Sequence, residues 1–214
     1  MENVTLSYVD DYLKSLLDFE NEQLKEMRNY AEDLKIPIVH KEVANLLRFL
    51  VQMKKPKRVL ELGMAISYSA LLMLNTADSI EELHTFERNQ WMYDRAMPFI
   101  NKSEFKDKIN IHFEDAIDGI NNISGKYDFV FIDAVKSKYP IFWDAIIPHV
   151  SKNGLIVCDN VLYRGMICND ELVVKRDRTI VRSMRKFLTK IQNDPNCNTT
   201  ILPIGEGVSI SEIY

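Results

Sequence analysis

The stretch YDFVFIDAVKSKY, residues 127–139, places the apolar run FVFI directly before an acid, Asp133, and sets a lysine, Lys136, three positions later. A run that is apolar at consecutive positions and rich in β-branched and aromatic residues predicts a strand that is buried on both faces. Such strands are typical of parallel sheets that carry helices on both sides. Ligands of these sheets bind beyond the carboxyl ends of the strands, where Asp133 lies. The stretch therefore predicts both the fold and the place of its site.

Short β-rich runs alternate with helix-length segments on both sides of this stretch. The predicted strands are RVLEL (58–62), ELHTFE (82–87), INIHFED (109–115), YDFVFID (127–133) and GLIVCD (154–159), with helices near 67–76, 89–100, 116–123 and 138–149. This alternation predicts an α/β fold with right-handed crossovers and a parallel sheet.

The order changes after residue 159. A loop (160–178) and a long basic helix (179–192) precede the runs NTTILPI (198–204) and GVSISEI (207–213), which are joined by Gly205-Glu206-Gly207. Two strands separated by a glycine-bearing turn predict a hairpin. The sheet should therefore have seven strands, of which the last runs antiparallel to the rest.

Two helical patterns open the chain, over residues 8–34 and 41–54, and the proline of IPI (36–38) makes the joint between them extended. We expect one domain over residues 1–214, in which residues 1–54 form an N-terminal helical extension and residues 55–214 form the core. A chain of 214 residues fits one such domain better than two.

Composition predicts a soluble globular protein of the cytoplasm. Hydrophobic residues make up 46% of the chain and charged residues 27%, and no run of 18 apolar residues or basic apolar leader is present. The odd count of three cysteines argues against a disulfide framework and favours a reducing compartment. We expect no membrane partner.

Charge is polarised along the chain. Residues 1–33 carry a net charge of −6, whereas residues 164–190 carry +5 from eight bases and three acids. A basic segment of this kind can contact phosphates of a nucleic acid, although a solvated loop and helix face explains it equally well.

The loop after the first strand favours a nucleoside cofactor that has no pyrophosphate. Glu61 ends that strand, Gly63 forms the turn, Ser69 lies at the start of a helix, and Glu87 ends the second strand, where an acid can bind both ribose hydroxyls. A dinucleotide would require G-x-G-x-x-G at this turn, and two of the three glycines are absent. S-adenosylmethionine fits better, because it presents only an ammonium and a carboxylate there.

Three oxygen ligands follow the fourth and fifth strands. Asp133 ends one, and Asp159 and Asn160 end the next. Neighbouring parallel strands would bring these side chains together, and two carboxylates with an amide oxygen suit Mg²⁺ or another divalent cation. The alternative is that they only cap turns.

The motifs ELGMAISYS, FERN, FIDAVKSKY and GLIVCDNVLYRG resemble those of the metal- and S-adenosylmethionine-dependent O-methyltransferases, the family of catechol and caffeoyl-CoA O-methyltransferases, from about residue 37 to the C-terminus. The resemblance implies a Rossmann-like class I methyltransferase sheet. Within the family, IPI, DNVLYRG and PIGEGVSIS look most like the bacterial tRNA 5-hydroxyuridine methyltransferases. These methylate the wobble base in the tRNA anticodon loop, and a homodimer is implied.

The resemblance also implies roles for individual residues. Asp133, Asp159 and Asn160 would bind the metal, and Lys136, with a pKa depressed by the neighbouring cation, would act as general base. The cofactor-binding positions would be Ile38, Glu61, Gly63, Ser69, Glu87, Asp115, Ala116 and Asp133. Ser67 stands where the family has glycine and should crowd the cofactor slightly, and Val135 replaces an acid that is common in the family.

The substrate remains open between two acceptors. A 5-hydroxyuridine and a catechol each present neighbouring oxygens to one metal, so the same site could serve tRNA or a small molecule. Arg164, Lys175, Arg176 and Arg178 are the candidates for contacts with tRNA phosphates. A cofactor-binding protein without catalysis, or a dehydrogenase-like module, is the third alternative.

Overall fold

The computed structural model describes residues 4–214, so the first three residues of the predicted extension lie outside the described part of the chain. Seven strands form one sheet within it. They are β1 (Arg58–Leu62), β2 (Glu82–Glu87), β3 (Ile109–Phe113), β4 (Tyr127–Ile132), β5 (Val150–Cys158), β6 (Cys197–Leu202) and β7 (Val208–Ile213). The spatial order is β3-β2-β1-β4-β5-β7-β6.

The strand directions confirm the predicted sheet. The pairs β1–β2, β1–β4, β2–β3 and β4–β5 are parallel, while β7 pairs antiparallel with both β5 and β6. The last strand is therefore inserted between β5 and β6 and runs against its neighbours. The hairpin of β6 and β7 is also as predicted.

Eight α-helices lie within residues 4–214. They are α1 (Ser7–Ser15), α2 (Glu22–Leu34), α3 (Lys41–Lys54), α4 (Tyr68–Thr76), α5 (Gln90–Lys102), α6 (Ala116–Gly119), α7 (Tyr139–Ile146) and α8 (Arg178–Gln192). Short 3₁₀ turns extend α6 and α7, at Ile120–Asn122 and Ile147–His149, so regular helix there is shorter than predicted. None of the helices in this part of the chain is long and apolar enough to cross a membrane.

The prediction of one helix over residues 8–34 was wrong, because the chain turns inward between α1 and α2. The Asn21 side chain accepts a hydrogen bond from the backbone N–H of Leu24 and caps α2. Glu20 is buried, and its carboxylate pairs with Arg28 at 2.6 Å. Helical periodicity continues through this segment, but a buried ion pair and a cap require a break.

The continuous apolar run of β4 is explained by packing on both sheet faces. Phe129 and Phe131 belong to a hydrophobic cluster that includes residues of α2, α3 and α4. Val130 and Ile132 belong to a second cluster with residues of α7 and α8. Since the N-terminal helices share the first cluster with the sheet, the extension packs directly onto the core.

Candidate active site

A cavity of about 540 Å³ opens at the carboxyl ends of the parallel strands, and we call it the strand-end cavity. Pockets for small ligands run from roughly 300 to 1,000 Å³, so it can hold a nucleoside-sized molecule. Its wall includes the residue that follows each of β1 to β5. These residues are Gly63, Arg88, Glu114, Asp133 and Asp159.

The tips of β4 and β5 are held side by side. Ile132 pairs with Cys158 in the sheet register, so Asp133 and Asp159 follow directly opposed residues. The Tyr139 hydroxyl lies 3.1 Å from the carbonyl oxygen of Ile132 and 2.7 Å from that of Asp159, and it links the two tips. The predicted convergence of the two strand ends is therefore present, and both carboxylates line the strand-end cavity.

Asp159 has one carboxylate oxygen without a partner. Its Oδ1 accepts the backbone N–H of Asn160 at 2.7 Å, whereas Oδ2 is buried and has no hydrogen bond within the described residues. Burial, and then the charge of Asp133, raise the pKa of Asp159 to about 8. An unpaired buried carboxylate oxygen is costly, because water no longer solvates it. A cation at this point would remove that cost.

The donor set suits a hard divalent cation. Asp133, Asp159 and Asn160 all line the strand-end cavity, and carboxylate and amide oxygens are the ligands that Mg²⁺ prefers. Residues 4–214 contain no cluster of three His, Cys, Asp or Glu side chains that could hold a metal, so the third ligand would have to be an amide. Asn160 adopts a left-handed backbone conformation with φ of 57°. Asparagine tolerates this conformation better than most residues.

Lys136 lies beside the same carboxylates, and they determine its pKa. Its Nζ is 2.5 Å from Asp133 Oδ1, and 21% of its side chain is exposed. Burial lowers the pKa of Lys136, yet the carboxylates of Asp133, Asp159 and Glu206 outweigh it, and the net pKa is raised. The depressed pKa was expected for Lys136 beside a bound cation, and it stays a prediction for the site with its cation in place.

The turn after β1 brings backbone close to the β4 tip. Gly63 has φ of +101°, and a Cβ at this position would lie 2.3 Å from the Asp133 carbonyl oxygen. Glycine is therefore required here for both conformation and space. Ser67, with φ of 70°, is fully buried and does not line the strand-end cavity. The expectation that Ser67 crowds a cofactor was wrong, because its side chain points into the protein.

Glu87 shapes the ribose side of the predicted cofactor site. Its carboxylate accepts the backbone N–H groups of Ala65 at 3.0 Å, Arg88 at 2.9 Å and Asn89 at 2.7 Å. A carboxylate can accept about four hydrogen bonds, so these three leave capacity for about one more, and Glu87 lines the strand-end cavity. The same bonds fix the loops after β1 and β2 relative to each other.

Glu61 lies behind the strand-end cavity and is not part of its wall. Its two carboxylate oxygens accept hydrogen bonds from Ser69 Oγ and Thr85 Oγ1, each at 2.5 Å. Burial raises its pKa from 4.5 to about 7. Of Glu61 and its two hydrogen-bond donors, only Ser69 lines the cavity.

The remaining candidates for cofactor contacts are Asp115 and Ala116 at the start of α6, and Ile38 before α3. Asp115 caps α6 by accepting the backbone N–H of Ile117 at 3.0 Å and pairs with Arg88 at 2.5 Å. Ala116 follows it and is nearly buried. Ile38 lies on the segment between α2 and α3, and all three candidates line the strand-end cavity.

The four basic candidates occupy two places. Arg164 lines the strand-end cavity, and its Nε is 3.7 Å from Glu206 Oε1. The other three are exposed and lie outside the cavity wall: Lys175, Arg176 and Arg178. Asp177, within this basic segment, accepts a hydrogen bond from the Tyr163 hydroxyl at 3.3 Å, and Tyr163 lines the cavity. The segment therefore lies close to the cavity rim.

Sequence reasoning missed Glu206. It lies in the β6–β7 turn, is buried in the cavity wall, and its Oε1 has no hydrogen-bond partner within residues 4–214. The flanking glycines, Gly205 with φ of 58° and Gly207 with φ of 91°, turn it inward. An acid between two glycines in a turn was the available signal, but it was interpreted only as turn chemistry.

The fold and site define a class of protein. A seven-stranded sheet with an antiparallel last strand carries a cavity at its strand ends, with acidic residues directly after β3, β4 and β5. This is the architecture of the Rossmann-like methyltransferases that the motifs suggested.

Comparison with known proteins identifies the family. The profile of the O-methyltransferase family matches residues 14–212. A caffeoyl-CoA O-methyltransferase of Populus kitakamiensis is 27% identical, over 93% of this chain and 89% of that protein. A solved Staphylococcus aureus structure, provisionally named a caffeoyl-CoA O-methyltransferase, is 28% identical with a TM-score of 0.90, over 97% of this chain and 100% of that one. This chain belongs to the O-methyltransferase family.

Proposed function

We propose that this O-methyltransferase takes its methyl group from S-adenosylmethionine bound in the strand-end cavity. Glu87 would accept the ribose hydroxyls, Asp115 and Ala116 would lie at the adenine, and Gly63, Ser69 and Ile38 would surround the methionine end. Each of these residues lines the cavity. When bound, the cofactor supplies an electrophilic methyl group, and the protein's task is to hold an oxygen in line with it.

We further propose that Asp133, Asp159 and Asn160 hold a divalent cation beside that methyl group. A bound cation lowers the pKa of a hydroxyl that it ligates and fixes its direction. The same cation would offset the carboxylate charge that raises the pKa of Lys136, and would so free Lys136 Nζ, which adjoins Asp133, to receive the acceptor's proton. The unpaired Oδ2 of Asp159 at the tip of β5 is the observation that carries this part of the proposal.

Our proposed acceptor is the O5 hydroxyl of 5-hydroxyuridine at the wobble position of tRNA. The anticodon loop is single-stranded, so its base can enter a pocket while basic residues bind the neighbouring phosphates. The positions of the basic residues support this proposal. Arg164 lines the cavity, and beyond Tyr163 lie the exposed Lys175, Arg176 and Arg178.

A small-molecule acceptor with vicinal oxygens is the second candidate. It is favoured by the name of the Populus kitakamiensis relative reported above, which is a caffeoyl-CoA O-methyltransferase. It needs the same cofactor and cation residues but no basic segment. Membership of the O-methyltransferase family argues against the dehydrogenase-like alternative.

Competing acceptors distinguish the two candidates. Methyl transfer from labelled S-adenosylmethionine should be measured with an anticodon stem-loop that carries one 5-hydroxyuridine, with caffeoyl-CoA and with catechol. We expect kcat/KM to be highest for the RNA. Preferential transfer to caffeoyl-CoA or catechol, with none to the RNA, would establish the second candidate instead.

Basic-residue variants test the RNA part separately. Arg164→Ala and Arg176→Ala should each raise KM for the stem-loop by roughly tenfold, because each removes a phosphate contact, while transfer to catechol stays unchanged. Lys152→Ala is the matched control, since this exposed lysine lies at the opposite end of β5 from Asp159. Equal losses on both acceptors would remove the argument for RNA.

A further inference from the structure

A buried polar cluster joins the N-terminal extension to the strand-end cavity. Arg28 on α2 donates a hydrogen bond from Nε to Glu20 Oε1 at 2.6 Å and another from a terminal nitrogen to the Tyr68 hydroxyl at 2.6 Å. The Tyr68 hydroxyl in turn donates to Glu20 Oε1. The second terminal nitrogen of Arg28 lies 3.5 Å from the Val39 carbonyl oxygen. One guanidinium therefore contacts three separate segments of the chain.

The cluster is nearly closed to water. The side chain of Arg28 is 14% exposed and that of Glu20 is 4% exposed. Tyr68 is buried, and the guanidinium also lies over its ring, 4.7 Å from the centroid. Charge-assisted bonds in such surroundings hold their partners more rigidly than exposed ion pairs do.

The partners of Arg28 belong to two walls of the cavity. Tyr68 is the first residue of α4 and directly follows the turn that contains Gly63. Val39 directly follows Ile38 on the segment between α2 and α3. All four of these residues line the strand-end cavity, at the end where the cofactor's methionine would lie.

We propose that Arg28 is a positioning residue that, with Glu20, fixes these two cavity walls relative to each other and thereby sets the affinity for the cofactor. This inference rests on the proposed function. Arg28 and Glu20 do not line the cavity themselves, so they act through Tyr68 and Val39. The inward turn between α1 and α2 acquires a role as well, because it is what delivers Glu20 to the cluster.

The direct test measures S-adenosylhomocysteine binding by calorimetry in the wild type, Arg28→Met and Tyr68→Phe. Arg28→Met loses every polar contact but keeps much of the side-chain volume, and we expect it to weaken binding about tenfold. Tyr68→Phe removes only the hydroxyl and should weaken binding by about threefold. Tyr68→Phe also keeps the test decisive if Arg28→Met does not fold.

The matched control is Arg48→Met on α3. Arg48 also stacks on an aromatic ring, that of Phe19 at 5.3 Å, and hydrogen-bonds Asn45, but it does not line the strand-end cavity. We expect its binding of S-adenosylhomocysteine to equal that of the wild type.

Steady-state kinetics separate positioning from general loss of stability. Arg28→Met should raise KM for S-adenosylmethionine while KM for the acceptor stays unchanged, and Arg28→Lys should recover part of the loss. Wild-type affinity in both Arg28→Met and Tyr68→Phe, or an equal rise in both KM values, would overturn the inference. Failure of the wild type to bind S-adenosylhomocysteine would instead overturn the proposed function on which it rests.

Discussion

The two buried carboxylates Glu61 and Asp159 have opposite surroundings. Glu61 is satisfied by hydroxyl donors on both oxygens, whereas Asp159 keeps one oxygen unpaired. A buried acid whose two oxygens both have hydrogen-bond donors within the protein stabilises the fold around it. A buried acid with an unpaired oxygen at a cavity costs stability and is typical of a binding site.

Glu61→Gln should stabilise the protein at alkaline pH. The folded-state pKa of Glu61, about 7, lies above its ordinary value of 4.5, so the folded chain keeps a proton that the unfolded chain releases. The stability that Glu61 contributes therefore falls as pH rises from 4.5 to 7, by about 3 kcal/mol in total. Glutamine mimics the protonated acid and escapes this loss.

Urea unfolding at pH 5 and pH 8 checks this prediction. We expect Glu61→Gln to gain stability over the wild type at pH 8 and to gain much less at pH 5. Glu212→Gln on β7 is the control, because its carboxylate is exposed to water. An equal effect of Glu61→Gln at both values would contradict the prediction.

Asp159→Asn should separate stability from activity. The amide keeps the shape of the side chain and removes an acid that is charged above its pKa of about 8 and has an unpaired oxygen, so thermal unfolding at about pH 9 without added metal should occur at a higher temperature. Methyl transfer should fall by about 100-fold or more, because a charged cation ligand is lost. S-adenosylhomocysteine binding should persist. Full transfer activity in the variant would be inconsistent with the proposed cation site.

The residues that were predictable at this scale are those at strand ends. The positions of Asp133, Asp159 and Asn160 follow from strand pattern and parallel pairing, which the sequence carries. Glu206 was not predictable, because its approach to the cavity depends on how β7 inserts between β5 and β6. The pKa of Lys136 depends on that same acid and on two others, which only the assembled site defines.

The break between α1 and α2 divides the first part of the N-terminal extension into two separate helices. Apolar residues recur at helical spacing on both sides of it, so periodicity alone continues the helix. Three interactions end it: the cap by Asn21, the packing of Phe19 against the core, and the burial of Glu20 against Arg28 and Tyr68. Two of these depend on distant partners, which explains why the sequence did not reveal them.

Asn21→Ala should weaken the start of α2. The substitution removes the cap on Leu24 and the hydrogen bond from Asn21 Nδ2 to Asn75 Oδ1 at 2.8 Å. We expect a loss of about 1 kcal/mol in the free energy of unfolding, measured in urea. Asn101→Ala, an exposed substitution in α5, should cause no comparable loss. Wild-type stability in Asn21→Ala would show that the cap is not significant.

The overall fold was predictable from the sequence, whereas the residues exposed on the molecular surface were not. The seven strands, the parallel pairing and the antiparallel hairpin follow from the strand and helix patterns along the chain, whereas the insertion of β7 between β5 and β6 does not. The exposure of apolar residues on α1 was not predictable, because an amphipathic pattern does not determine which side of the helix faces the protein. Four large side chains on α1 and at the residues that flank it are more than 60% exposed: Leu6, Tyr8, Tyr12 and Leu16.

The predicted homodimer can be tested on this surface. We expect light scattering to give about twice the chain mass of 24.9 kDa, because an exposed apolar patch of this kind is covered in most proteins. The double substitution Tyr12→Glu and Leu16→Glu should yield monomers. Leu172→Glu, at an exposed residue outside α1, should leave the mass unchanged. A monomeric wild type would reject the homodimer.

In the proposed mechanism, the tips of β4 and β5 hold one divalent cation at the strand-end cavity. The most direct measurement is an anomalous difference map from crystals grown with Mn²⁺ and S-adenosylhomocysteine. We predict one peak within bonding distance of Asp133, Asp159 and Asn160, next to the sulfur of the cofactor product. A map in which fully occupied S-adenosylhomocysteine has no such peak, or in which Mn²⁺ binds elsewhere, would contradict it.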